Sequence, residues 1–350
     1  MKALRWHGRD DVRLDEVPPP PPPGPGQVQI DVLACGICGT DVEEWRHGPF
    51  LIPVDTPHRL MGGVAPVTLG HELAGRVVAT GPGVDLPAGR VLAVDGLVAC
   101  GRCRQCLTGR PNLCSEVGWV GFAADGGLQP VVNVPADTTV AVPDGLPPET
   151  GALAETLSVG IRALRRGRLA PGDRVAVYGG GAVGLLALQA ARAMGAGTTT
   201  LVEPLESRRA LATALGADVV ATPAEAADAE PADVVLECAG HPDAVSGAIA
   251  QAAPGGRVVL IGIGRGRPPL DAWDLVVREK EIIGSLSHLR AQDFTGALTM
   301  LSTSAITWQP LVERIPLSAA LDQGLLALAE RPTEHLKLIV TPDAVTSGNG

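Results

Sequence analysis

The sequence predicts an α/β protein in two parts: a mainly β unit, then a doubly wound, parallel, six-stranded sheet, followed by a tail of mixed pattern. Three observations carry this. Residues 1–156 are a succession of β-type segments and turns. Residues 157–292 alternate short apolar strands with helical stretches, as in a parallel sheet covered on both faces. A glycine-rich turn joins the first of those strands to the first of those helices. The 350-residue length exceeds one ordinary domain and suits two.

Each element has a local reason. QVQIDVLA, ELAGRVVAT, RVLAVDG and VVNVPADTTVAVP supply the β unit. Six consecutive prolines at 18–23 read as a stiff spacer joining an N-terminal hairpin to the strand that starts at Gln27. Strands of the second part are expected at 174–178, 198–202, 218–221, 233–237, 257–261 and 281–285. Helices are expected at 182–194, at 207–215 (stopped by Gly216) and at 242–253. The tail from about 293 ends in the strand-like HLKLIV. Aromatic residues make up only 3% of the chain, so Ala, Val and Leu must fill the cores.

A net charge of −10 disfavours nucleic acid, whose binding leans on clustered positive charge. No apolar stretch reaches membrane-spanning length; the longest candidate, after Val183, is broken by Gln189 and Arg192. The N-terminus lacks the apolar core of a signal peptide. The expectation is a soluble, cytoplasmic protein with a small-molecule partner. Of seven cysteines, four lie within fifteen residues, which in such a compartment reads as metal binding before disulfides.

RVAVYGGGAVGLLAL is a strand, then Gly179-x-Gly181-x-x-Gly184, then an amphipathic helix. Gly179 allows the tight turn, Gly181 lets the backbone approach a pyrophosphate, and Gly184 lets helix pack on strand. Ala182 and Val183 complete the turn at the helix start, whose free N–H groups and positive dipole end receive the phosphates. This is the Rossmann fingerprint of a dinucleotide site. Glu203 closes the second strand, where a carboxylate accepts hydrogen bonds from the adenosine ribose and repels a 2′-phosphate, favouring NAD over NADP. Arg208, five residues on, can reach toward a 2′-phosphate and pulls the other way.

Cys100-x2-Cys103-x2-Cys106-x7-Cys114 has the spacing that wraps four sulfurs around one structural zinc. Arg102, Arg104 and Arg110, with loop amides, are expected to offset its excess negative charge. A catalytic zinc needs mixed ligands instead. Candidates are Cys38 in CGICGTD, His71 in GHE and Glu155 in ALAETL, with Glu72 as an alternative to Glu155. Cys35 also forms a C-x-x-C with Cys38, so a redox pair or second structural site competes for those residues. Cys238 ends a buried strand and reads as inert.

Together these segments resemble the medium-chain zinc-dependent alcohol dehydrogenase family over nearly the whole chain, and within it the polyol branch that includes 2,3-butanediol and sorbitol dehydrogenases. CGICGTDVEEW, PVTLGHELAGRVV, ACGRCRQC and VVREKEIIGS carry the likeness, in family order. The resemblance implies a GroES-like catalytic domain, 1–156 completed by 293–350, around a Rossmann NAD-binding domain at 157–292. It implies Cys38 and His71 as catalytic zinc ligands, with Glu155 third or, as in some of the polyol branch, Glu72. Thr40 takes the position of the hydroxyl that touches the alcohol, Asp41 that of the orienting carboxylate, and Lys337 that of the basic residue at the cofactor pyrophosphate.

The implied reaction is hydride transfer between NAD(H) and a small secondary alcohol or vicinal diol, or its ketone, in a homodimer or homotetramer. Two departures stand out. Where the family often has a proton-passing His, this chain has Glu43, with His47 a turn further on. GGLQPVV replaces the usual GGFAEYV and is expected to reshape the substrate pocket. A sugar, cyclitol or biosynthetic intermediate therefore stays open as substrate. A non-catalytic dinucleotide-binding protein on the same scaffold, with one zinc in place of two, is the rival from another class.

Overall fold

The structure, a computed structural model, describes residues 1–264 and 266–343. The chain forms two compact units: Met1–Glu155 with the stretch from Leu311, and Thr156–Pro310. The return to the first unit, expected at 293, comes at 311. The helix Thr295–Ser302 and the segment after it stay with the second unit, where the Gln189 side chain bonds both the N–H (2.7 Å) and the carbonyl (3.1 Å) of Thr307.

In the first unit the strands Lys2–Gly8 and Asp11–Glu16 form the expected antiparallel hairpin. The polyproline run is tied down as a spacer: the Pro21 carbonyl accepts from Gln29 Nε2 (3.2 Å) and Asn133 Nδ2 (2.9 Å). Gln27–Ile37 is the central strand of a seven-stranded sheet, flanked by Glu72–Thr80 and by Lys337–Thr341, both antiparallel to it. Its burial alternates along the first half, as on a sheet with one face to the core, and becomes continuous over its last four residues. Trp6, Ile30, Leu73, Phe122 and Leu128 fill the core beneath.

The second unit holds six parallel strands in the order Val219–Ala221, Thr198–Val202, Arg174–Tyr178, Ala232–Glu237, Ala252–Leu260, Glu281–Gly284. The strand expected from 257 starts at Ala252, because Ala252 pairs with Ala232 before a register shift at the glycine pair, where Gly255 takes φ +72°. The strand order reverses between Arg174–Tyr178 and Ala232–Glu237, and at such a switch point open sheets bind ligands at their carboxyl edge. Among the described residues no helix is long and apolar enough to cross a membrane.

Candidate active site

Cys38, His71 and Glu72 each offer one ligand atom, and these atoms lie within 4.8 Å of one another. Local sequence explains the convergence. Cys38 caps the helix Gly39–His47, and Asp41 in its first turn accepts the Cys38 backbone N–H through Oδ2 at 2.8 Å. Oδ1 of the same buried carboxylate stands 3.4 Å from Nδ1 of His71. Neither Oδ1 nor Nδ1 has another hydrogen-bond partner, so Asp41 is the carboxylate that faces the ring.

Burial alone would disfavour a charged His71, but Asp41 and Cys38 outweigh it and raise its proton affinity well above the ordinary range. A site that rich in negative charge suits a metal ion in the proton's place. The donor set of thiolate, imidazole and carboxylate is a zinc set. Thr40 Oγ1 lies 3.6 Å from Cys38 Sγ, and Glu43 is half-buried on the same helix. Glu155 is half-buried on the helix Pro148–Arg166 and is not among the residues whose ligand atoms fall within that 4.8 Å.

The structure bears on three further readings. Cys35 does not join Cys38 in a redox or metal pair. Its side chain is fully buried against Gly70 and Gly127, and burial, then Asp41 and Glu72, push its thiol pKa well up. Lys337, expected at the pyrophosphate, is buried on the central sheet and pairs with the Glu72 carboxylate. GGLQPVV, expected to reshape the pocket, packs inward with Leu128 and Gln129 both buried. Its amides bond the carbonyls of Thr68, Leu69 and Gly70, bracing the turn that presents His71. A side chain at Gly126 would stand 2.2 Å from the Gly70 carbonyl, which is why that position is glycine.

Cys100, Cys103, Cys106 and Cys114 also converge within 4.8 Å. Backbone amides point at the sulfurs: Cys100 N–H to Cys114 (3.3 Å), Cys103 N–H to Cys100 (3.4 Å) and Glu116 N–H to Cys114 (3.3 Å). The Cys106 and Ser115 amides pull the Cys103 thiol down to about 6, whereas burial and Cys103 push Cys106 up to about 12. Arg102 pairs with Glu116 at 3.3 Å, so the amides moderate the sulfur charge more directly than this arginine does.

In the second unit Gly179 takes φ +103°, and a side chain at Gly184 would sit 1.9 Å from its carbonyl. Gly181 caps the helix Ala182–Ala193 with no protein atom within 4 Å of its would-be Cβ. Glu203 is buried; its Oε2 accepts from Gly180 N–H at 2.6 Å and Oε1 from Leu205 N–H at 3.0 Å. Arg208, half-buried, stands against the same turn, its Cβ 3.2 Å from where one on Gly180 would be.

Sequence reasoning missed Glu237. It is fully buried at the end of Ala232–Glu237, and its Oε1 holds the amides of Ala239 (2.9 Å) and Gly240 (2.7 Å). That loop abuts Gly179. The available signal was an acid closing an apolar strand at the switch point. The thiol of Cys238 beside it is pushed up by burial and Glu237, in keeping with an inert cysteine.

A glycine turn on a switch-point sheet, a four-sulfur cluster and a mixed thiolate–imidazole–carboxylate set define a zinc-dependent, dinucleotide-linked dehydrogenase. The chain belongs to the zinc-type medium-chain alcohol dehydrogenase family: residues 24–144 match the alcohol dehydrogenase GroES-like domain and 182–303 the zinc-binding dehydrogenase domain. It is similar to an (R,R)-butanediol dehydrogenase of Bacillus subtilis strain 168, 34% identical over 98% of this chain and 100% of that one. A sorbitol dehydrogenase of the same strain is 32% identical over 98% of each. The solved 2R,3R-butanediol dehydrogenase of Bacillus subtilis superposes with TM-score 0.89 at 33% identity, over 98% of this chain and 99% of that one. A zinc-binding dehydrogenase structure from Sinorhizobium meliloti 1021, bound to NADP, gives 0.88 at 32% identity, over 97% and 99%.

Proposed function

We propose that this enzyme interconverts a small secondary alcohol or vicinal diol and its ketone with NAD(H), at a zinc held by Cys38, His71 and Glu72. One observation carries the reading: the ligand atoms of these residues converge within 4.8 Å, and Cys38 Sγ has the Thr40 hydroxyl 3.6 Å away. Zinc supplies a Lewis acid that lowers the pKa of a hydroxyl, and the dinucleotide supplies the hydride acceptor. The protein's own groups do the rest. Cys38 and Glu72 bring two negative charges and a neutral His71 none, matching a divalent ion. Asp41 fixes the ring. Thr40 takes the substrate's hydroxyl proton and passes it on toward Glu43, further along its helix. Glu155 is assigned to hold a water.

Cys100, Cys103, Cys106 and Cys114 hold the second, structural zinc. The turn of Gly179, Gly181, Ala182, Val183 and Gly184 receives the pyrophosphate, and the buried Glu203 carboxylate favours NAD over NADP despite Arg208. The butanediol and sorbitol relatives support diol and polyol substrates. All seven cysteines stand outside disulfides, which suits a cytoplasmic enzyme. The exposed edge of the six-stranded sheet suits a homodimer contact.

NADH formation across diols, polyols and cyclitols, with metal analysis, tests the reading. The wild type is expected to carry two zinc ions per chain. Cys38→Ser and His71→Ala should each retain one and lose at least about 100-fold in turnover, as when a principal electrostatic stabiliser is removed. Near-normal turnover in either variant ends this assignment.

A further inference from the structure

We propose that Lys337, reaching across Gly36, is the positioning residue that holds the Glu72 carboxylate where it can ligate the metal; this rests on the metal-centre reading above. Three neighbouring strands set the geometry. Gly36 lies opposite Glu72 on one side and opposite Ile339 on the other. Lys337 is two residues before Ile339 and so shares its face of the sheet. Its ammonium contacts both oxygens of Glu72 and lies 3.5 Å from the Ile37 carbonyl.

Gly36 is what allows the crossing. A Cβ there would stand 1.9 Å from Glu72 Oε2 and 3.1 Å from Lys337 Cε. The ion pair fills the space a side chain would take on the central strand. Lys337 is 4% exposed and Glu72 not at all, so each charge depends on the other in a medium that penalises an unpaired ion. With the pair formed, the Glu72 ligand atom is already grouped with those of Cys38 and His71. Ligating carboxylates are themselves held by hydrogen bonds from outside the metal's ligands.

Two physical pictures predict opposite signs. Coulomb's law alone says that removing the Lys337 cation tightens a nearby zinc. Positioning says that removal frees the carboxylate and weakens it. In the full-length protein, zinc affinity is read by chelator competition and ligand geometry by the cobalt-substituted absorption spectrum. Cys38→Ser identifies the metal lost from this site, and the four-cysteine metal is the internal control.

Lys337→Met should weaken this metal by about 10–100-fold, the range for loss of a ligand's supporting partner, and alter the cobalt spectrum. Lys337→Arg should restore most of both. Gly36→Ala keeps both charges, obstructs the flexible end of Glu72 and should give the same direction. If Lys337→Met is folded and binds zinc as tightly as wild type, or more tightly, the inference is overturned. If Lys337→Met does not fold, Gly36→Ala with unchanged affinity and spectrum overturns it. Cys38→Ser retaining both metals instead overturns the metal-centre reading and this inference with it.

Discussion

Asp41 answers two demands with one carboxylate. Oδ2 caps the helix that carries Cys38 and Thr40, and Oδ1 faces the ring of His71. Asp41→Asn keeps an acceptor for the cap but removes the charge that orients and polarises the imidazole. Turnover or zinc affinity should fall about 10–100-fold with little change in melting temperature, and both are directly measurable. Glu237 gives a pH prediction. Burial raises its pKa above the ordinary 4.5, and the Gly240 and Ala239 amides and His241 only partly offset it. Its protonated form is therefore favoured in the folded state, so this contribution to stability is full below the unfolded pKa and is lost as pH rises through the folded one. Glu237→Gln should melt higher than wild type at neutral pH, with the difference shrinking as pH falls to about 4.5. A constant difference across that range would show that Glu237 does not titrate there. Cys38 and His71 could be named as candidates from ligand chemistry, with Glu155 ahead of Glu72 as the third. The choice between the two carboxylates was not legible, because it turns on which of them the fold brings beside His71. Nor was the Lys337–Glu72 pair, because residues 265 positions apart meet only through strand pairing.

Among the elements, the glycine turn shows why one pattern yields two kinds of glycine. Gly184 is internal: its missing side chain makes room for the Gly179 carbonyl at 1.9 Å from the would-be Cβ. Gly181 has no packing neighbour within 4 Å of that position, so the space there is open to the cofactor in the binding mode proposed above. Gly181→Ala should leave the melting temperature unchanged while NADH, followed by fluorescence titration, binds at least about tenfold more weakly, or about 1.4 kcal/mol. Gly184→Ala should lose both, with about 1–3 kcal/mol of overpacking cost. An NADH affinity untouched by Gly181→Ala would remove that residue from the site. Strand and helix positions here were legible because buried parallel strands read as continuous apolar runs. The early start at Ala252 was not, since an Ala-Ala-Pro-Gly-Gly stretch has no strand-like periodicity and is extended only by pairing with Ala232.

For the whole molecule, the six-stranded sheet leaves an edge to account for. Glu281–Gly284 pairs with Ala252–Leu260 on one side and, among the described residues, with no strand on the other. Ile282 on that strand is 38% exposed, and the preceding helix Ala272–Val277 exposes Trp273 and Val276 at 69% and 76%. Composition and motif could not show this, because an apolar strand reads the same in the middle of a sheet as at its edge. An open edge with apolar neighbours templates pairing with another chain, and covering each large apolar side chain contributes about 1.5–3 kcal/mol. Two copies related by a two-fold axis would pair this edge with itself, the commonest form of oligomer. Ile282→Lys places a charge on the edge, and Val276→Lys does so on the adjoining helix. In either variant the mass by light scattering should fall at least by half, toward the 35.8 kDa of a single chain where the wild type is a dimer. NADH should still bind, since the glycine turn lies on other strands. A wild-type mass retained by both variants would place the subunit contact elsewhere on the molecule.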